Sequence, residues 1–504
     1  MRTNVIEFLE ATARRLPGKA AVIDARGSVT FSELLDRANG IAAAIHSRTP
    51  ARNQPIAVYL PRSKECLAAF AGVLLSGNAY APLDTKSPAA RLRVLLGKLE
   101  PALIITDPGH LAELSEAGVS DDCILLDDGS TAPAKLPGRR TVDTDPAYII
   151  HTSGSTGVPK GVVVSHRGVA DYIDWARQCY GVTESDTIGS QAPFHFDNST
   201  LDIFLCFAAG ATLVLIPEEH FLFPLRLVEY LAAHSVRFIF WVPSVLASVA
   251  RLDILSQTEL PPLAKILFAG EVMPARCLNY WRAKYPHALF SNLYGPTEIT
   301  VDCTYYIVDR EFRDDEPLPI GFARPNMEVL MLDDDGRPAA EGERGEILVR
   351  GSALALGYWN DAERTAAAFV QNPLNPHFPD PVYRTGDIGY RNQRGEIMFV
   401  GRRDQQIKHL GYRIELGEIE AAAMALPEIR NACVVYDPEE SRIAMFYESV
   451  RPVGAGELRK QLLAKLPKYM VPALMTALPE LPQNANGKVD RVKLAAAVRE
   501  RLYG

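Results

Sequence analysis

The chain has 504 residues, too many for one ordinary compact core, so two or more domains are expected. Hydrophobic residues make up 47% and charged residues 23%, the balance of a soluble globular enzyme, and a formal charge of −8 argues against a general nucleic-acid binder. No apolar run reaches the roughly 18 residues that would span a bilayer, and the N-terminus lacks the apolar stretch of a secretory signal.

In chain order, the first strong signal is a helix from about Ser32 to Ile45. Its apolar residues Leu34, Leu35, Ala38, Ile41, Ala42 and Ile45 form one stripe, and Thr30 with Glu33 makes a capping box. Short β-branched or apolar runs at 56–60, 102–106, 147–150, 211–216 and 238–242 read as buried strands alternating with helices. That alternation predicts an α/β fold of mainly parallel sheets covered on both faces. Near residue 330 the pattern changes. The closely spaced runs 327–331 and 345–350, with the turn Asp335-Gly336, predict a small antiparallel section. Beyond Gly401 there is room for a smaller α+β domain, with a helix from Glu418 to Leu426 and a strand over 432–436. The expected division is 1–402 and 403–504, joined by a short hinge. The seven cysteines, at 66, 123, 179, 206, 277, 303 and 433, include no C-x-x-C pair, so a zinc site or redox dithiol is not expected. Cys206 and Cys303 sit among apolar residues and read as core, and a reducing cytoplasm is the simplest setting.

The segment Thr152-Ser153-Gly154-Ser155-Thr156-Gly157-Val158-Pro159-Lys160-Gly161 follows the strand over 147–150. Its glycines let the backbone curl, its hydroxyls and N–H groups can surround phosphate oxygens, and Lys160 adds positive charge. It is not a Walker A loop, because Gly161 rather than Ser or Thr follows Lys160. A phosphate-loop kinase or NTPase is therefore disfavoured.

This segment resembles the phosphate loop of the adenylate-forming superfamily, which includes acyl-CoA synthetases, luciferases and the adenylation domains of nonribosomal peptide synthetases. Further motifs follow that family's order. They are 74–84 (LLSGNAYAPLD), Phe196-Asp197-Asn198-Ser199, Asn292-Leu293-Tyr294-Gly295-Pro296-Thr297-Glu298, Tyr383-Arg384-Thr385-Gly386-Asp387, the stretch from Gly401 to Glu420, and Asn486-Gly487-Lys488. Together they cover nearly the whole chain.

The resemblance implies an ATP site of Thr152, Ser153, Gly154, Ser155, Thr156, Gly157, Lys160, Gly270, Glu271, Asn292, Leu293, Tyr294, Thr297, Asp387, Arg402 and Lys488. In it Tyr294 stacks on adenine, Asn292 bonds the adenine edge, Thr297 donates to the α-phosphate and Glu298 holds Mg²⁺. Asp387 accepts from the ribose hydroxyls, with Arg402 beside it. Lys488 is expected to bridge the substrate carboxylate and the α-phosphate, stabilising charge where two anions must meet. Asp404 is the expected hinge of a small domain with two orientations. One delivers Lys488, and the other removes it and brings the segment from Lys408 to Arg413 to the site, where Arg413 meets phosphate.

Asp197 separates the subfamilies, since amino-acid activators carry aspartate there to pair the substrate ammonium and fatty-acid activators generally do not. The peptide-synthetase pocket pattern falls on Asp197, Asn198, Leu201, Phe240, Leu267, Ala269, Leu293, Val301, Asp302 and Lys488. Its mostly apolar lining suggests a small side chain, with Asp302 available to a hydroxyl or a second amine. Serine and alanine lead, ahead of a diamino or β-amino acid. His151 and Asn198 depart from the family pattern, where tyrosine and a small apolar residue are common. With no carrier or condensation motif in the sequence, the chain resembles free-standing enzymes such as D-alanine–carrier-protein ligases. These form an aminoacyl-adenylate and pass the acyl group to the phosphopantetheine thiol of a separate carrier. The alternatives are an acyl-CoA synthetase of the same superfamily, against which Asp197 argues, and an inactive carrier-binding module. The latter would be expected to have lost Lys488, Glu298 or the phosphate loop.

Overall fold

Two helices that are apolar on nearly every face explain the layering of this protein. Lys64–Leu75 buries eleven of its twelve residues and Asn198–Ala209 buries ten of twelve. A helix without a polar face must be covered on all sides, and both lie between two sheets. The computed structural model describes residues 2–119, 123–126, 141–154, 159–403, 406–438, 440–483 and 489–500.

Among the described residues, one sheet has nine strands. Its centre is the parallel run Leu289–Tyr294, Lys265–Ala269, Phe238–Trp241, Thr187–Ser190, Thr212–Leu215. The second has seven strands, with Pro146–Thr152, Ala79–Pro82, Pro55–Tyr59 and Leu103–Thr106 parallel at its centre. Val58, Tyr148 and Ile150 of the second sheet share one core with Leu213, Phe240 and Leu267 of the first, through Leu67, Phe70, Leu201 and Phe204 of the two sandwiched helices. Outer helices close the remaining faces. Leu227, Leu246 and Leu278 pack on Ile239, Trp241 and Phe268, and Leu92 and Leu95 pack on Ala57, Tyr59 and Ile149. The layers therefore run helix, sheet, helix, sheet, helix.

The antiparallel section is a separate sheet of Met327–Leu332, Gly345–Gly351, Pro381–Arg391, Phe369–Gln371 and Ile397–Arg402. A hairpin, Gln406–His409 with Tyr412–Glu415, follows. The smaller C-terminal domain is a three-stranded sheet, Ile429–Asp437, Arg442–Ser449 and Leu474–Ala477. Ile419, Leu458 and Leu462 cover one face of it, and Leu494 and Val498 cover the other. Among the described residues no helix is long and apolar enough to cross a membrane.

The predicted strands all form, within two residues of their expected ends except that the strand expected over 432–436 runs from Ile429 to Asp437, starting three residues early. The capping box of Thr30 and Glu33 is present at the start of the helix Phe31–Arg48. Cys206 and Cys303 are fully buried. The helix predicted over Glu418–Leu426 runs instead from Leu416 to Met424, because the strand Tyr412–Glu415 ends directly into it.

One buried group sets a stability expectation. Asp202 has no exposed surface, and neither carboxylate oxygen has a hydrogen-bond partner. Burial pushes its pKa up to about 7, and the nearby Ser190 hydroxyl and Arg62 offset this only in part. The unfolded chain releases this proton near the ordinary 3.8, so between about pH 4 and 7 the folded state binds more protons and stability falls as pH rises. Asp202→Asn removes that slope. Its stability gain over wild type should be larger at pH 8 than at pH 5 by about 2 kcal/mol, read as the pH dependence of the denaturation midpoint.

Candidate active site

The parallel strands of both sheets end at one cleft, as expected where crossover connections leave strand ends uncovered. Thr152 and Ser153 come from the end of one sheet, and Ala269, Gly270 and Thr297 follow strand ends of the other. Asp197 and Asn198 stand at the start of a sandwiched helix, and all seven line one cavity. Thr152 pairs with Lys160 across an antiparallel turn. The phosphate-loop candidate is therefore a hairpin connection, not the strand-to-helix turn of a Walker loop. Ser155, Thr156 and Gly157 of that loop lie outside the described residues, as do Asp404 and Lys488.

Glu298, with no exposed surface, is the electrostatic centre. Its Oε1 accepts from the Tyr358 hydroxyl at 2.8 Å and pairs with Lys160 Nζ at 2.8 Å, and its Oε2 accepts from Arg413 at 2.7 Å. Burial alone would raise its pKa, but Arg413 and Lys160 outweigh burial and hold the carboxyl well below the usual range. This donor set does not fit a metal ligand in the present arrangement, because Oε1 has two donors and Oε2 faces a guanidinium. Among the described residues no group of three or more His, Cys, Asp or Glu could hold a metal.

Asp387 is 4% exposed and uses both oxygens. Arg402 donates to Oδ1 at 2.6 Å and the Tyr294 hydroxyl donates to Oδ2. Each oxygen has a second lone pair able to accept, and Asp387 lines the cavity. Asn292 donates its side-chain amide to Pro319 O at 2.8 Å, and Glu271 accepts from the backbone N–H groups of Ser244 and Gly411.

The cavity is lined by two further carboxyls, Asp197 and Asp302. Burial raises the Asp197 pKa, against the opposing pull of Thr297, Lys408 and Arg413. Asp302 is 2% exposed, accepts the Tyr172 hydroxyl at 2.7 Å on Oδ2, and is pushed up to about 7 by burial. Beneath it Arg324, also buried, donates to the Asp302 carbonyl at 3.0 Å and pairs with Asp171 at 2.5 Å. A strained turn aims Asp302 into the cavity wall. Thr300 and Val301 take φ +58° and +70°, costly for β-branched residues, and a Cβ on Gly295 would lie 2.3 Å from Val301 O. Leu201, Phe240, Leu267, Leu293 and Val301 pack in the core behind the wall, whereas Ala269 also reaches the cavity.

The segment from Lys408 to Arg413 is at the site. Lys408 Nζ lies 5.8 Å from the Tyr294 ring centroid, among Asp387, Asp302 and Asp197. Burial lowers its pKa. Ser153 Oγ donates to the Arg413 carbonyl at 2.8 Å and accepts from the Glu415 N–H at 3.2 Å. Tyr412 stacks on Tyr469 at 3.6 Å and meets Phe196 edge-on at 4.7 Å. Arg91 pairs with Glu418. No described residue beyond Tyr469 lines the cavity. Sequence reasoning did not find Tyr172, Arg324, Arg91 or Tyr469, which carry no motif of their own. His151, one of the two departures, is half-buried in the cavity wall, and desolvation lowers its pKa to about 4.

Comparison with known proteins agrees with this architecture. Residues 418–488 match the AMP-binding enzyme C-terminal domain. The chain is 33% identical over 493 residues to tyrocidine synthase 2 of Brevibacillus parabrevis, covering 97% of this chain but 13% of that one. It is 31% identical over 506 residues to the D-alanine–D-alanyl carrier protein ligase of Bacillus licheniformis, covering 98% of this chain and 99% of the relative. Among solved structures, holo-PA1221, an NRPS protein containing adenylation and PCP domains, superposes with a TM-score of 0.84 at 28% identity, covering 98% of this chain and 84% of that one. With residues 9–359 matching the AMP-binding enzyme model, the chain belongs to that family.

Proposed function

We propose that this protein activates a small amino acid with ATP as an aminoacyl-adenylate, releasing pyrophosphate, and passes the acyl group to the phosphopantetheine thiol of a separate carrier protein. The observation that carries this reading is the convergence, in one cavity, of Asp197 with the phosphate-loop residues Thr152 and Ser153 and the nucleotide candidates Thr297, Asp387 and Arg402. Asp197 would hold the substrate ammonium, placing the substrate carboxylate toward the α-phosphate, which it attacks as the bond to pyrophosphate breaks. No general base is needed, because the nucleophile is already ionised. Mg²⁺ would supply charge on the phosphates when bound with ATP. The relative named as a D-alanine–D-alanyl carrier protein ligase supports an amino acid and a carrier.

The buried Asp302 favours serine over alanine. Only Oδ2 has a partner among the described residues, the Tyr172 hydroxyl, and an unpaired carboxyl oxygen at a cavity wall suits a side-chain hydroxyl. Residues 403–504 would move as a unit about Asp404, delivering Lys488 for adenylation and the hairpin for transfer. The free cysteines suit a reducing compartment such as the cytoplasm.

Pyrophosphate release should depend on an added amino acid, with serine the best substrate among the proteinogenic amino acids, D-alanine, diamino acids and β-amino acids. Alanine should trail by about 10-fold or more, having no donor for Asp302. A panel in which no amino acid raises AMP formation above background overturns the reading.

A further inference from the structure

We propose that Arg413 and a divalent cation are alternative partners of Glu298, so that the docked hairpin and a metal at this carboxylate exclude each other. The inference rests on the proposed use of ATP with Mg²⁺ and assigns a positioning role that the sequence did not give. Glu298 is buried, and its Oε1 already takes two donors, Tyr358 and Lys160, at 2.8 Å each. Only Oε2 has room, and Arg413 donates there at 2.7 Å. A Mg²⁺ bound at the usual 2.0–2.1 Å to the same oxygen would sit about 4 Å from the guanidinium, with no water between to screen the repulsion. Lys160 and Arg413 already leave the cluster with one net positive charge, so a dication is welcome only when Arg413 leaves.

The hairpin also occupies a second predicted nucleotide contact. Ser153, expected at the phosphates, instead donates to the Arg413 carbonyl and accepts from the Glu415 N–H. One four-residue strand, Tyr412–Glu415, thus uses both the metal ligand and a phosphate-loop hydroxyl. Its turn is seated closely. The Gly411 N–H bonds Glu271 at 2.8 Å, and a Cβ at Gly411 would lie 2.6 Å from Val242. The consequence is a division of charge. In the orientation seen here Arg413 neutralises Glu298 without metal, so transfer to the thiol needs none, while nucleotide with metal expels the strand.

The test is hydrogen exchange across residues 406–415 of the full chain, with binding of a non-hydrolysable ATP analogue followed by calorimetry on the same samples. In wild type the hairpin amides should be protected in the ligand-free protein and loosened far less by the analogue with EDTA, which competes only for Ser153, than by the analogue with Mg²⁺. Adding Mg²⁺ to the analogue should speed exchange at 411–415 at least about 10-fold. Arg413→Gln should exchange fast without any metal, and its analogue complex should bind Mg²⁺ about fivefold more tightly. Arg413→Lys, which keeps the charge, should restore most of the metal dependence. If the analogue binds wild type and Mg²⁺ leaves the hairpin protected, or Arg413→Gln keeps the wild-type response, the exclusion is overturned while the functional reading stands. If no nucleotide binds at all, both fall.

Discussion

Replacing Asp197 by alanine should lower kcat/KM for the amino acid by about 30- to 5,000-fold, equivalent to about 2–5 kcal/mol, while the Kd for ATP stays within about twofold. The size follows from what is left behind. An ammonium brought into the cleft without its carboxylate is a desolvated charge beside Lys408 and Arg413, two cations whose influence already reaches Asp197. The asymmetry between ligands follows from position, because Asp197 sits at the start of the helix Asn198–Ala209, on a different element from Asp387 and Arg402. The pH profile provides a separate check. Burial raises the Asp197 pKa, so amino-acid kcat/KM should fall on acidification along a limb placed above the usual aspartate range, as the carboxylate is protonated and can no longer hold the ammonium. That limb should vanish in Asp197→Ala. Equal losses for ATP and amino acid would remove Asp197 from the substrate site.

How much of this site could be read from the sequence depended on how local each contact is. The phosphate loop and the capping box of Thr30 and Glu33 are written in consecutive residues, so their chemistry is visible in a window of ten or fewer. The layered α/β fold followed from alternating runs for the same reason. Asp302 could be placed in the pocket by spacing, but its Tyr172 partner lies 130 residues away and Arg324 reaches it through a backbone carbonyl. Neither leaves a pattern in sequence. The first strand, Ala20–Asp24, joins the nine-stranded sheet by pairing in parallel with Thr212–Leu215, a partner nearly two hundred residues on. The engagement of Glu298 by Arg413 joins side chains 115 residues apart and leaves no pattern in sequence either. Phe240, set in the pocket by spacing alone, packs in the core behind the wall, since a four-residue strand buried on both faces offers no alternation to say which face meets the cavity.

The second large effect separates two lysines. Lys488→Ala should slow pyrophosphate release about 100- to 1,000-fold, the scale of removing one preorganised electrostatic partner, and slow transfer from a preformed adenylate to pantetheine by less than about fivefold. Lys408→Ala should do the reverse. The two steps differ in which cation can be at the reacting atoms. In the arrangement seen here the cavity is lined by Lys408 and Arg413, while Arg491, three residues after Lys488, is tied to Glu420 and to the Val434 carbonyl within the C-terminal domain. Lys408 is half-buried, its pKa is lowered by desolvation, and no hydrogen bond or ion pair among the described residues engages its ammonium. A partly desolvated amine gains from an anionic partner, and an adenylate phosphate beside Tyr294 and Asp387 would supply one. Rapid-quench measurement of each half-reaction in both variants decides the matter. If Lys488→Ala depresses adenylation and transfer alike, a single orientation serves both steps and the proposed division of labour is wrong.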